Sequence, residues 1–106
     1  MHPVVEKHRT ELAALCRRFH VRRLDVFGSA ARDDGEPRDI DLLVEFAPAP
    51  GMGPADQYFG LLEALEQLFD RPVQLLTRRS LRNPHLIRSI EKTRKTLHAA
   101  ENAETS

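Results

Sequence analysis

Tryptophan is absent from the sequence, and cysteine and tyrosine occur once each. The lone Cys16 excludes an intramolecular disulfide and suits a reducing compartment, so a cytoplasmic location is expected. Aromatic residues make up only 6% of the chain and do not alternate with the basic ones. That argues against RNA held by base stacking, and no direct nucleic-acid binding is expected. No apolar run approaches the roughly 18–20 residues of a membrane-spanning helix, and Met1-His2-Pro3 does not open like a signal peptide, so no membrane association is expected. Net charge is missing too: sixteen Lys/Arg balance sixteen Asp/Glu, which excludes a uniformly basic nucleic-acid binder. The five histidines share no metal-ligand spacing.

What is present suffices for one domain. A chain of 106 residues, 41% hydrophobic, can bury a core without disulfides or a structural metal. The expected organisation is a single domain over 1–98 and a frayed tail over 99–106, where the residues are small and polar. The zero charge conceals a strong pattern. Residues 1–23 carry six basic and two acidic side chains, residues 24–70 two and eleven, and residues 71–96 eight and one. An acidic centre lies between two basic flanks.

Apolar residues at helical spacing predict a helix over 4–19 (Val4, Val5, His8, Leu12, Leu15, Cys16, Phe19), with Pro3 at its start. A short strand over 23–27 ends at Gly28-Ser29. A second strand over 39–46 places Ile40, Leu42, Val44 and Phe46 on one apolar face. The Pro- and Gly-rich stretch 47–54 reads as a loop. A helix over 55–69, a strand over 72–77 and a helix over 84–98 complete the pattern. On the second helix, Tyr58, Phe59 and Leu62 extend past what a small core needs and are candidates for a partner or dimer contact. The short link between the first two strands implies an antiparallel return. The intervening helix implies a right-handed crossover to a parallel third strand. One corner of the resulting three-stranded sheet would then collect Ser29, Asp39, Asp41 and Gln74.

Asp39-x-Asp41 is the sharpest chemical feature. Carboxylates at i and i+2 of a strand point to the same face and repel each other unless a cation neutralises them. Mg²⁺ suits such a pair, because it takes hard oxygen ligands and needs only one or two carboxylates besides phosphates. Two solvated aspartates on a strand edge would look the same in isolation. Phe27-Gly28-Ser29 adds a glycine at a strand end followed by a hydroxyl residue, a turn that lets backbone amides approach a phosphate. Arg32 could reach phosphate oxygens with its planar fork.

In this order and spacing, Val26-Phe27-Gly28-Ser29-Ala30-Ala31-Arg32-Asp33-Asp34 followed by Asp39-Ile40-Asp41-Leu42-Leu43-Val44-Glu45-Phe46 resembles the minimal nucleotidyltransferases, the MNT proteins of the DNA polymerase beta superfamily. The resemblance continues through 58–65, Arg71-Pro72-Val73, Leu81-Arg82-Asn83-Pro84, Ser89-Ile90-Glu91 and Leu97-His98-Ala99. It implies an α+β minimal nucleotidyltransferase fold, with a small mixed three-stranded sheet packed with helices. It also implies ATP as substrate, held by Gly28, Ser29 and Arg32, and Mg²⁺ held by Asp39 and Asp41, the catalytic pair. The partner implied is a HEPN-domain toxin, an RNase, to whose tyrosine the antitoxin transfers AMP. A homodimer or a hetero-oligomer with the toxin is compatible with this reading.

Three departures bear on activity. The loop between Ser29 and Asp39 is one residue shorter than usual, and Arg38 stands where a serine commonly precedes the first aspartate. Gln74 occupies the position where many relatives carry a third carboxylate. It can offer an amide oxygen to a metal, but it is neutral and cannot act as a base. Glu45, further along the face of Asp39 and Asp41, is a poor substitute. A slower enzyme is therefore expected. The alternative is a catalytically weak or inactive antitoxin that neutralises its toxin by direct binding. A transferase acting on a small molecule is disfavoured, because the chain has no room for a second domain to shape such a pocket.

Overall fold

A computed structural model describes residues 1–32 and 35–100. Helix α1 (Pro3–Glu6) opens with Pro3 in its first turn, and the His2 Nδ1 accepts from the Val4 N–H at 3.1 Å. Helix α2 (Arg9–Arg18) follows after a break at Lys7-His8, so the helix expected over 4–19 is two helices. Strand β1 (Val21–Phe27), strand β2 (Ile40–Phe46), helix α3 (Pro54–Phe69), strand β3 (Val73–Thr77), helix α4 (Pro84–Thr93) and strand β4 (Lys95–Ala99) complete the order.

The strands form one sheet in the order β3-β2-β1-β4. β1 pairs antiparallel with β2, and β3 pairs parallel with β2, as the connection lengths imply. The sheet has four strands rather than three. The helix expected to run to residue 98 stops at Thr93, and Lys95–Ala99 pairs antiparallel with β1. The cause is a coincidence of periods. Leu97 lies seven residues after Ile90, which fits a helical stripe, but it also fits the alternation of a strand and packs on the main core. The open edge of β1 supplies the hydrogen bonds that decide between the two. Ala99 therefore belongs to the sheet, and the Ala100 N–H donates to the Arg22 carbonyl at 2.9 Å. The rest of the expected tail, 101–106, lies outside the described residues.

The two faces of the sheet differ. One carries Leu24, Val26, Ile40, Leu42, Val44, Val73 and Leu75 against α1, α2 and α3, and forms the main core. Leu61 and Leu65 of α3 are fully buried there, each worth about 2–3 kcal/mol of apolar burial. Gly60 lets α3 approach closely: a Cβ at that position would sit 2.6 Å from Phe19 Cε1. The other face carries a smaller cluster of Phe27 and Leu43 under Ile90 of α4, with Leu76, Leu81 and Leu86 at its margin.

Helix α3 also protects the free edge of β3. The Val73 N–H donates to Glu66 Oε2 at 3.1 Å, and the Tyr58 hydroxyl donates to the Leu75 carbonyl at 2.6 Å. Tyr58 and Leu62 are thus packed on the core rather than held out for a partner, while Phe59 remains 63% exposed. No helix among the described residues is long and apolar enough to cross a membrane.

Candidate functional site

The sequence puts a glycine where β1 must turn sharply, and the structure shows two reasons for it. Gly28 has φ +70°, a left-handed conformation that other residues adopt only with strain. A Cβ on Gly28 would also lie 2.8 Å from the Asp41 carboxylate Oδ2. The turn and the carboxylate are therefore in direct apposition, and the glycine makes room for the aspartate. This second reason was not legible in the sequence, where the glycine suggested close approach of a phosphate.

Sheet register assembles the rest. Phe27 pairs with Asp41 across β1 and β2, and Asp41 pairs with Gln74 across β2 and β3. Neighbours in register project to the same face, so Asp41 and Gln74 share the face that carries Phe27 and Leu43. Asp39, exposed and just before β2, lies two residues from Asp41, and its charge acts on it. The corner expected to gather Ser29, Asp39, Asp41 and Gln74 exists. Arg32 is placed just after the turn, where its backbone N–H donates to the Gly28 carbonyl at 3.3 Å. Glu45 is not part of the corner; near the other end of β2 it accepts from Arg78 at 3.2 Å.

The electrostatics of the corner are unbalanced. Burial pushes the Asp41 carboxyl above its ordinary range, and the Asp39 carboxylate adds to the shift. The charged group that acts on Asp41 is thus a second carboxylate. The donor set consists of two carboxylates and the amide oxygen of Gln74, which are hard oxygen ligands of the kind Mg²⁺ takes. No third His, Cys, Asp or Glu joins them among the described residues.

Hydrogen bonds at the turn are already partly committed. The Gly28 N–H donates to Thr93 Oγ1 at 2.9 Å, and the Ala31 N–H to the Gly28 carbonyl at 3.1 Å. Ser29, half-buried, follows the glycine in a single 3₁₀ turn. The structure therefore adds Thr93, at the end of α4, to the residues that shape this turn.

A second polar cluster on the same sheet face also escaped the sequence reading. Asp25 is 1% exposed and is held by two arginines. Arg23 Nε donates to its Oδ1 at 3.1 Å, Arg94 Nε donates to its Oδ2 at 2.9 Å, and a second Arg94 nitrogen also contacts Oδ2. The signal was a charged residue between Leu24 and Val26 in a strand, a position that burial would forbid without partners. Cys16 is buried, and burial pushes its thiol up to about 12, in keeping with a structural residue.

A mixed sheet with a glycine turn set against paired carboxylates defines a nucleotidyltransferase-type domain. The family described as the nucleotidyltransferase domain matches residues 8–97, and the chain belongs to that family. Two relatives from Methanocaldococcus jannaschii, both provisionally named protein adenylyltransferases, are 34% and 33% identical over 89 residues. Each alignment covers 83% of this chain and 85% of the relative. A solved structure provisionally described as a minimal nucleotidyltransferase is 30% identical, with a TM-score of 0.67 over 90% of this chain and 95% of that one. The fold is shared as well with a chain in the structure of the tri-AMPylated Shewanella oneidensis HEPN toxin in complex with MNT antitoxin, at a TM-score of 0.63 and 19% identity, covering 95% of this chain and 77% of that one. A toxin–antitoxin structure with AMP-PNP gives a TM-score of 0.65 at 20% identity, covering 92% of this chain and 77% of that one. The resemblance to minimal nucleotidyltransferases is borne out.

Proposed function

We propose that the protein is an antitoxin-type protein adenylyltransferase of the cytoplasm, transferring AMP from ATP to a tyrosine of a HEPN-domain toxin. The observation that carries the reading is the apposition of Gly28 and Asp41, with the Asp39 carboxylate alongside and acting on Asp41. A half-buried carboxylate kept beside another is costly unless a cation arrives with the ligand. The names of the Methanocaldococcus relatives support protein adenylylation, and the toxin–antitoxin structures with this fold support a HEPN partner.

In this reading Asp39 and Asp41 hold Mg²⁺, with the Gln74 amide oxygen as a neutral third ligand. The ion would supply charge neutralisation at the transferring phosphoryl group. Gly28 and Ser29 seat the triphosphate, and Arg32 contacts its oxygens. The tyrosine oxygen attacks the α-phosphorus, a phosphorus–oxygen bond forms, and the bond to the β-phosphate breaks. Pyrophosphate leaves with the electron pair. The tyrosine proton passes to solvent, since Gln74 cannot accept it. Transfer of this kind depends mainly on positioning and charge, so the missing base slows the reaction without abolishing it.

Gln74 favours a second reading, in which the same fold neutralises its toxin by stoichiometric binding. One experiment separates the two. The protein, its HEPN-type partner, ATP and Mg²⁺ are incubated, and the partner is weighed by intact mass spectrometry. An AMP-sized increment that vanishes with Asp39→Ala/Asp41→Ala supports transfer. Full neutralisation without any mass change refutes it and leaves the binder.

A further inference from the structure

We infer that Thr93 is a positioning residue for the Gly28-Ser29 turn, and that the buried Asp25–Arg94 pair holds it in place. The Thr93 hydroxyl makes two bonds of opposite sense. Its hydrogen is given to the Ser89 carbonyl at 2.8 Å, which leaves its oxygen to accept the Gly28 N–H at 2.9 Å. The direction of both bonds is thereby fixed: a backbone carbonyl can only accept, and a backbone N–H can only donate.

The next residue anchors the arrangement. Arg94 ends α4 and places its guanidinium on Asp25, which is 1% exposed and also bonded by Arg23. The Arg94 N–H donates to the Ile90 carbonyl at 2.7 Å, so the helix end is closed at the same point. Arg23 in turn donates to Thr96 Oγ1 at 3.1 Å, tying β1 to β4 just beyond the helix. The junction between α4 and β4 is therefore pinned to β1 two residues before Phe27, and the pinned junction presents Thr93 to Gly28. On its other side the turn meets the Asp41 carboxylate. Gly28 is thus held between a hydroxyl that bonds its nitrogen and a carboxylate that fills the space a side chain would take. Loss of the hydroxyl frees one side of this clamp while leaving the apolar packing of α4 in place.

Two substitutions test the inference on the intact protein. Thr93→Val keeps the shape and removes the hydroxyl, while Thr93→Ser keeps the hydroxyl. Three quantities are read: hydrogen exchange at the Gly28 amide, affinity for Mg²⁺-ATP by calorimetry, and melting temperature. Thr93→Val is expected to exchange at Gly28 about ten times faster and to bind ATP about 3- to 10-fold more weakly, the range that one lost hydrogen bond gives. Thr93→Ser is expected to restore both, with all three proteins melting within a few degrees of one another. Unchanged exchange and affinity in Thr93→Val overturn the inference. So does a Thr93→Val protein that melts far below the parent, since the hydroxyl would then serve the fold as a whole. The nucleotide arm rests on the adenylyltransferase reading, but the exchange arm does not. A parent protein that fails to bind ATP would refute that reading, while faster exchange at Gly28 in Thr93→Val would still support the role of Thr93.

Discussion

Two aspartates on neighbouring strands face the same side of the sheet and are treated in opposite ways. Asp25 on β1 is almost wholly buried, and the chain surrounds it with two arginines. Asp41 on β2 is half-buried, and its charged neighbour is another carboxylate. If both were structural, both would be paired, because a buried carboxylate without a partner costs several kcal/mol. The chain has cations to spare, eight of them in residues 71–96 alone, so the imbalance at Asp41 is not for want of arginine. The difference teaches that charge at Asp25 is completed by the fold, whereas in the proposed reading charge at Asp41 is completed by a bound cation.

Breaking the incomplete site has the largest effect. Asp39→Ala/Asp41→Ala is expected to reduce adenylyl transfer by about 10³-fold, the equivalent of about 4 kcal/mol of charge stabilisation. The folded state should survive, as measured by circular dichroism and denaturant unfolding. A double variant that retains transfer within a factor of ten would remove these aspartates from the chemistry.

Breaking the completed site reverses the pattern. Arg94→Ala leaves Asp25 buried with Arg23 alone, and is expected to lower unfolding stability by about 3 kcal/mol. The urea midpoint should fall accordingly. Replacing an exposed arginine such as Arg88 should change unfolding stability by less than about 0.5 kcal/mol. If both substitutions cost the same, Asp25 is not a structural charge and the comparison fails.

Gly28→Ala acts between the two regions. The new Cβ would meet Asp41 Oδ2 at 2.8 Å, and the left-handed backbone would add strain of about 1–2 kcal/mol. A loss of stability of that size is expected, together with a displaced Asp41 and weaker Mn²⁺ binding by electron paramagnetic resonance. Unaltered metal affinity in this variant would show that the turn and the carboxylate are independent.

The corner itself was legible in the sequence because it depends on short-range rules. An i, i+2 aspartate pair must share a strand face, and a βαβ link places Gln74 beside Asp41. Asp25 was not legible, because its partner Arg94 is 69 residues away and no local period connects them. Thr93 was missed for a related reason. It stood inside an expected helix, where its hydroxyl had no evident role, and only the end of α4 at Thr93 brings it to Gly28. β4 was hidden because Leu97 satisfies two periods at once, and only the open edge of β1 chooses between them. Tyr58 was misjudged as well. Its use is to close the edge of β3, and a strand edge is a property of the assembled sheet.

The smallest effect is also the most direct reading of the difference between the two aspartates. A carboxyl whose folded value lies above its unfolded one binds protons more tightly in the folded state. Its protonated form therefore adds stability, fully present below the ordinary carboxylate value and lost as pH rises through the raised one. At neutral pH, without metal, ionised Asp41 must work against the fold. Asp41→Asn removes that charge and keeps the shape. It is expected to raise the metal-free melting temperature at pH 7 by no more than about 4 °C. The gain should shrink as pH falls through the carboxylate range, where the parent protein protonates Asp41. Added Mg²⁺ should raise the melting temperature of the parent and leave that of the variant nearly unchanged. Asp25→Asn should do the opposite and lower the melting temperature at pH 7, because the loss of its charge strands two arginines. Equal responses from the two substitutions would show that the sheet treats both carboxylates alike, and the assignment of one to the fold and the other to a cation would fall.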